Sequence, residues 1–217
     1  MPAVARTLFL AFVAVGAFSP AIADSTPVMV SLLAPAQVPS WDSDVSGFRL
    51  SLLYGDCHDF AGLDIGVVSR TSGAFDGLGV GGVNIANGRL RGIQAGLFNW
   101  SGCEATASGF RPVGVQYGGI NCADAFLGLQ SGFVSISTGE LSGVQYGLLN
   151  CACGLDGVQC GQYLALGVNV VYGSAYGCQV GILNYAQEMT TGVQIGILNI
   201  IVRNGIFPVL PIVNAGF

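Results

Sequence analysis

The chain has 217 residues and a formal net charge of −5, yet only 9% of its residues are charged, against about a quarter in an ordinary soluble domain. Its 34 glycines, 52% hydrophobic content and mean hydropathy of +0.63 are the reverse of a disordered chain, which carries much charge and little hydrophobicity. There is no lysine, and the seven arginines (Arg6, Arg49, Arg70, Arg89, Arg91, Arg111, Arg203) are scattered, so no basic groove forms along which phosphates bind and nucleic acid is excluded as an expected partner.

The N-terminus carries Arg6, then the apolar run Leu8 to Phe18, then Pro20 and Ala21-Ile22-Ala23 before Asp24. This pattern predicts a secretory signal peptide over residues 1–23, cut after Ala23. Its apolar core is short of the roughly 20 residues of a spanning helix, and no later run reaches about 18. The mature chain is therefore expected to be exported. Residues 24–44, with Pro27, Pro35, Pro39 and Trp41, read as an extended N-terminal segment, and residues 45–217 as a single β-repeat domain.

Within that domain an eight-residue unit, G-h-Q-x-G-h-h-N with h apolar, starts at Gly62, Gly77, Gly92, Gly114, Gly128, Gly143, Gly157, Gly177 and Gly192. The starts lie 14 or 15 residues apart, except for steps of 22 after Gly92 and 20 after Gly157. The fifth position is always glycine. The third is glutamine except at Asp64 and Gly79, and the eighth is asparagine except at Ser69, Ser135 and Leu164. A degenerate copy precedes them at Gly47-Phe48-Arg49-Leu50-Ser51-Leu52-Leu53-Tyr54.

A 15-residue period is too short for a helical hairpin, and its β-branched and aromatic content predicts an all-β fold. Ser72-Gly73, Asn87-Gly88, Thr138-Gly139 and Cys153-Gly154 fall at the eleventh and twelfth residues of their copies, where they read as hairpin turns. The expected architecture is therefore a repeat-built antiparallel meander, closed into a shallow barrel of about 10–12 strands so that no edge stays bare. The alternative is a β-solenoid of 15-residue coils with parallel neighbours. In the meander the odd positions (glycine, glutamine, glycine, apolar seventh) share one face and the even positions share the other. The row Gln94, Gln116, Gln130, Gln145, Gln159, Gln179 and Gln194 is then either a ligand-facing ladder or a set of amides satisfied within the sheet.

The copies GVQIGILN (192–199), GVQYGLLN (143–150) and GIQAGLFN (92–99), the opening FRLSLLYG and the closing FPVLPIVNAGF resemble the bacterial surface-repeat proteins built from GLQxGLxN units. The resemblance covers about residues 45–217. It implies the β-flower fold, a shallow closed barrel similar to the lipid-binding Tubby C-terminal domain, together with a cell-envelope location and no established catalytic role.

Catalytic chemistry finds little purchase. The seven cysteines (Cys57, Cys103, Cys122, Cys151, Cys153, Cys160, Cys178) all follow the signal peptide, and an exported location permits disulfides. Cys151, Cys153 and Cys160 lack the paired spacing of a zinc site. The lone histidine stands in Asp56-Cys57-His58-Asp59, read as a solvated turn, and every Ser-His-Asp scheme would have to use it. The acidic residues lie mainly outside the motif, and no phosphate-binding fingerprint is followed by a helix. No catalytic, cofactor-binding or metal residue is assigned. The leading expectation is a non-enzymatic, exported envelope protein that associates with membrane lipid or a surface partner. The alternative is a transmembrane β-barrel ending in Phe217, with an envelope hydrolase third. Ligand identity, cysteine pairing and oligomeric state are left open.

Overall fold

The computed structural model describes residues 25–33, 36–102, 111–162 and 167–217. The predicted signal peptide 1–23, Cys103 and Leu164 lie outside the described residues. The described chain is almost entirely strand: β1 (Thr26–Leu33), β2 (Ala36–Val38), β3 (Val45–Cys57), β4 (Phe60–Thr71), β5 (Phe75–Ala86), β6 (Leu90–Ser101), β7 (Val113–Ala123), β8 (Phe126–Gly147), β9 (Leu149–Gly161), β10 (Val168–Val180), β11 (Leu183–Arg203) and β12 (Val209–Gly216). It divides into two compact units, 25–119 and 120–217 among the described residues.

In the first unit, β3, β4, β5 and β6 are parallel neighbours, and Gly47, Gly62, Gly77 and Gly92 pair in series. In the second, β8, β9, β10 and β11 are likewise parallel, with Gly143, Gly157, Gly177 and Gly192 in register. Each unit is a β-solenoid in which every copy of the repeat is one rung. This corrects the antiparallel meander: position p stacks on position p of the next rung, and the dipeptides at the eleventh and twelfth residues turn corners within a coil instead of closing hairpins.

The first glycine of the repeat is demanded by that stacking. Gly157 has φ +149°, and a Cβ built on it would lie 1.9 Å from the Gly143 carbonyl oxygen. Any side chain there would push the rungs apart.

Side chains sort around the coil in a way that simple alternation does not predict. The third, eighth and tenth residues point inward. So does the second residue before most first glycines, which supplies Phe60, Phe75 and Leu90 in the first unit and Phe126, Leu141 and Leu155 in the second, while Met189 takes that place before Gly192. The chain turns a corner around the fifth-position glycine, so glutamine and asparagine, five residues apart, both face inside. The apolar seventh residue faces out, which corrects the expected odd and even faces.

Irregular steps are absorbed outside the stacked positions. In the rung of Gly157, extra residues enter after Gly161, and Asn169 pairs with both Asn150 and Asn184. The eighth position of this copy is therefore Asn169, and not Leu164 as the unbroken motif read it. The 14-residue step from Gly143 is taken up in the linker, where the register shifts between Ser137 and Glu140.

Residues 24–44 do more than extend. β1 lies parallel to β3 as a further rung, and β2 folds back antiparallel on the outer side of β1. At the other terminus β12 runs antiparallel to β11 and carries Pro211, which has no N–H to offer a further strand. Such end pieces blunt the open edges that a solenoid leaves.

Candidate functional site: polar ladders inside, an apolar face outside

The predicted glutamine row is internal. Gln94 is 1% exposed and Gln116, Gln130, Gln145, Gln159, Gln179 and Gln194 are 0% exposed. Within each unit the amides bond from rung to rung, Nε2 donating to the Oε1 of the rung before: Gln116 to Gln94 at 2.9 Å, Gln145 to Gln130 and Gln159 to Gln145 at 2.8 Å, and Gln179 to Gln159 and Gln194 to Gln179 at 2.7 Å. The same nitrogen reaches a backbone carbonyl across its own coil, as from Gln145 to Cys151 at 3.1 Å and from Gln194 to Ile200 at 3.1 Å. Gln145, Gln159, Gln179 and Gln194 thus each tie two rungs together and also brace one of them.

A second ladder of asparagines runs beside it and donates the opposite way, towards the C-terminus. Asn150 donates to Asn169 at 2.8 Å, Asn169 to Asn184 at 2.7 Å and Asn184 to Asn199 at 2.8 Å. In the first unit Asn84 donates to Asn99 at 2.8 Å. Opposed donation sets the two rows of amide dipoles against each other.

The third-position exceptions have a common cause at the head of the glutamine ladder. Arg49, third residue of the degenerate copy, stacks on Asp64, and both side chains are 1% exposed. Nε donates to Oδ1 at 2.8 Å and one terminal nitrogen to Oδ2 at 2.7 Å, the bidentate geometry that matches a guanidinium to a carboxylate. The other terminal nitrogen donates to the Arg70 carbonyl and to Cys57 Sγ, both at 2.8 Å, and the guanidinium lies 4.7 Å from the Phe60 ring centroid. Burial opposes the Arg49 charge, but the hydrogen bonds and charge of Asp64 outweigh it and raise its pKa. At the next rung Gly79 leaves room for Phe75, whose Cζ would stand 3.2 Å from a Cβ there. Phe75 stacks on Phe60 with centroids 5.2 Å apart. The signal for this pair was the arginine in the degenerate copy, fifteen residues before the one acidic motif position.

Because the interior is largely polar, much of the apolar content is outside. The second, fourth, sixth and seventh positions hold no charged residue in any copy. Exposed among them in the first unit are Leu63, Ile65, Val67, Val80, Leu97 and Tyr117, and in the second Ile120, Phe133, Tyr146, Leu148, Leu149, Ile182, Ile195, Ile197 and Leu198. Leu97 is 76% and Ile197 71% exposed. Apart from the buried Arg49–Asp64 pair, the charges of the repeats fall from the ninth residue onward, on the side of the linkers. There Arg70 pairs with Asp56 at 3.0 Å, Arg89 with Asp76 at 2.9 Å and Arg203 with Glu188 at 3.6 Å. Each rung is therefore amphipathic in cross-section.

The four-residue cluster 56–59 is divided by the sheet. Cys57 is fully buried beside Arg49, and burial pushes its thiol pKa up despite the arginine. Asp56 pairs with Arg70, while His58 and Asp59 stand outside at the turn. Among the described residues Cys57, Cys122, Cys151, Cys153, Cys160 and Cys178 are free thiols, and burial raises the pKa of Cys122, Cys151 and Cys178.

Interior and exterior together define an all-β repeat protein of the solenoid class, with amide ladders inside and an apolar outer face. No protein-family profile, curated protein or solved structure matches the chain.

Proposed function

We propose that the protein is a non-enzymatic, exported cell-envelope protein of the GLQxGLxN surface-repeat kind, whose apolar outer face associates with the lipid of the outer membrane. The observation that carries this reading is the complete absence of charge from the second, fourth, sixth and seventh positions of every copy, while large apolar residues there stay exposed. Contiguous apolar surface of this kind favours removal from water at about 25 cal/mol per Å². Export rests on the signal peptide read from residues 1–23.

Surface association suits the fold better than spanning. A transmembrane barrel needs a closed wall of antiparallel strands with every backbone group paired, whereas here the rungs are parallel and packed side chains, amide and apolar, fill the interior. The charged linker side remains in water while the apolar side meets the acyl boundary.

Flotation of the purified protein with liposomes at high salt tests the lipid reading, since salt removes weak surface electrostatics and leaves apolar insertion. The wild-type protein floats with the vesicles, and the Leu148→Asp/Ile197→Asp variant stays at the bottom of the gradient. A wild-type protein that stays at the bottom with every lipid composition overturns the reading. Fractionation of the host cell checks export separately.

A further inference from the structure

We propose that Asp44, His58 and Asp59 form a surface site for one divalent cation of the hard-to-borderline class, held by an imidazole nitrogen and two carboxylate oxygens with water completing its shell. One ligand atom from each of the three lies within 4.8 Å of the others. The solenoid brings them together: Asp44 and Asp59 are fifteen residues apart and precede Val45 and Phe60, which pair across β3 and β4. His58 stands beside Asp59 in the same turn.

The backbone fixes both carboxylates. Asp59 N–H donates to Asp44 Oδ1 at 3.1 Å, and Ala74 N–H donates to Asp59 Oδ1 at 2.7 Å. Gly73 makes room for the second, because a Cβ there would lie 2.0 Å from Asp59 Oδ1. These bonds occupy one lone pair each and hold the groups in place, the service that outer-shell partners give a metal ligand. The His58 ring has Nδ1 3.4 Å from Ser72 Oγ, and Nε2 lies 4.0 Å from Asp59 Oδ1. Nε2 is thus on the carboxylate side.

No arginine compensates the charge of this cluster among the described residues. Asp56, Asp64, Asp76 and Glu188 each face an arginine. Asp44 and Asp59 face none among the described residues, so two like charges stack on successive rungs, where a doubly charged cation would neutralise them. Bonds of about 2.0–2.2 Å to nitrogen and oxygen place neighbouring donors about 3 Å apart, so the cluster must contract by one to two ångström. The His58 side chain is 59% exposed and free to swing in. Two carboxylates with one imidazole suit Mn²⁺, and thiols elsewhere on the chain do not compete well for that ion. The bound ion would clasp the turn before β3 to the turn after it.

The test uses Mn²⁺ with the purified protein, following the free-ion electron paramagnetic resonance signal and the proton spectrum of His58, the one histidine of the chain. Expected is a single bound ion, broadening of the His58 imidazole signals, and a thermal midpoint that rises with Mn²⁺. His58→Gln and Asp44→Asn, both keeping the wild-type circular dichroism spectrum, each abolish binding at the same Mn²⁺ concentration. The amide introduced by Asp44→Asn retains the oxygen that accepts the Asp59 N–H, so loss of binding in that variant reports on the carboxylate charge. A free-ion signal unaffected by the wild-type protein, or binding that survives either substitution, overturns the proposal.

Discussion

Replacing Ser135 by asparagine should stabilise the protein. The asparagine ladder from Asn150 to Asn199 stops at Ser135, which occupies the eighth position one rung earlier and pairs in register with Asn150. Asn150 Oδ1, Ser135 Oγ and Ser137 Oγ are all buried without a hydrogen-bond partner. An asparagine at 135, oriented like the others, donates to Asn150 Oδ1 and to the Tyr146 carbonyl, as Asn150 and Asn184 donate to the Cys160 and Ile195 carbonyls at 3.1 and 2.9 Å. A neutral hydrogen bond contributes about 1 kcal/mol net, and satisfying a buried orphan acceptor contributes about 1 more at the low end of its range. A gain of about 2 kcal/mol raises the thermal midpoint of a chain this size by about 4–8 °C. Differential scanning calorimetry reads the shift, with Ser135→Ala as the control that removes the hydroxyl and supplies no donor. A Ser135→Asn midpoint at or below wild type would refute the reasoning, because the interior at that rung would then reject the amide.

Gln159→Leu should cost about 2–4 kcal/mol in denaturant titration, since it strands Gln145 Oε1 and removes two ladder bonds of 2.8 and 2.7 Å. Asp64→Asn should cost about 3–5 kcal/mol by leaving the Arg49 charge uncompensated, and Arg49→Met with Asp64→Leu should cost much less; equal losses would show that the charge is not the cause. Gly157→Ala should prevent stable folding or lower the midpoint sharply, since its Cβ would meet the Gly143 carbonyl at 1.9 Å; a wild-type midpoint would contradict the stacking. In thiol titration at mildly alkaline pH, exposed Cys153 should react first and Cys57 only on unfolding, because burial raises the Cys57 pKa and lowers its thiolate fraction.

Much of this fold was legible from the chain, and the topology was the main exception. Asn87-Gly88 is a strong local hairpin signal, and it misled because a corner of a coil needs the same tight turn. The better clue lay across copies. In the meander scheme glutamine at the third position would face glycine at the fifth, with no reason for the same amide to recur on every strand. Parallel in-register stacking supplies one, since identical amides can bond each other up the ladder.

The site was legible in part. Asp64 stood out as the one charged motif position, yet its partner Arg49 belongs to a copy too degenerate to be aligned by glutamine or asparagine. The 56–59 cluster drew attention as a contiguous string, whereas the strand turned Cys57 inward and brought in Asp44, a residue with no local mark of its own. Nearness in the solenoid comes at intervals of one rung, not of one or two residues.

Period, composition and the invariant glycines determined by themselves that the protein is all-β, built from rungs of about fifteen residues, with nearly all of its charge in the linkers. Those properties are local: they follow from backbone propensity and from the absence of a side chain where carbonyls crowd. Tertiary structure alone decided that neighbours are parallel, that Gln and Asn point inside together, and that the apolar residues are left outside. The reason is the corner at the fifth glycine, which breaks strand alternation and sends the amides to where only each other, and the backbone, can satisfy them.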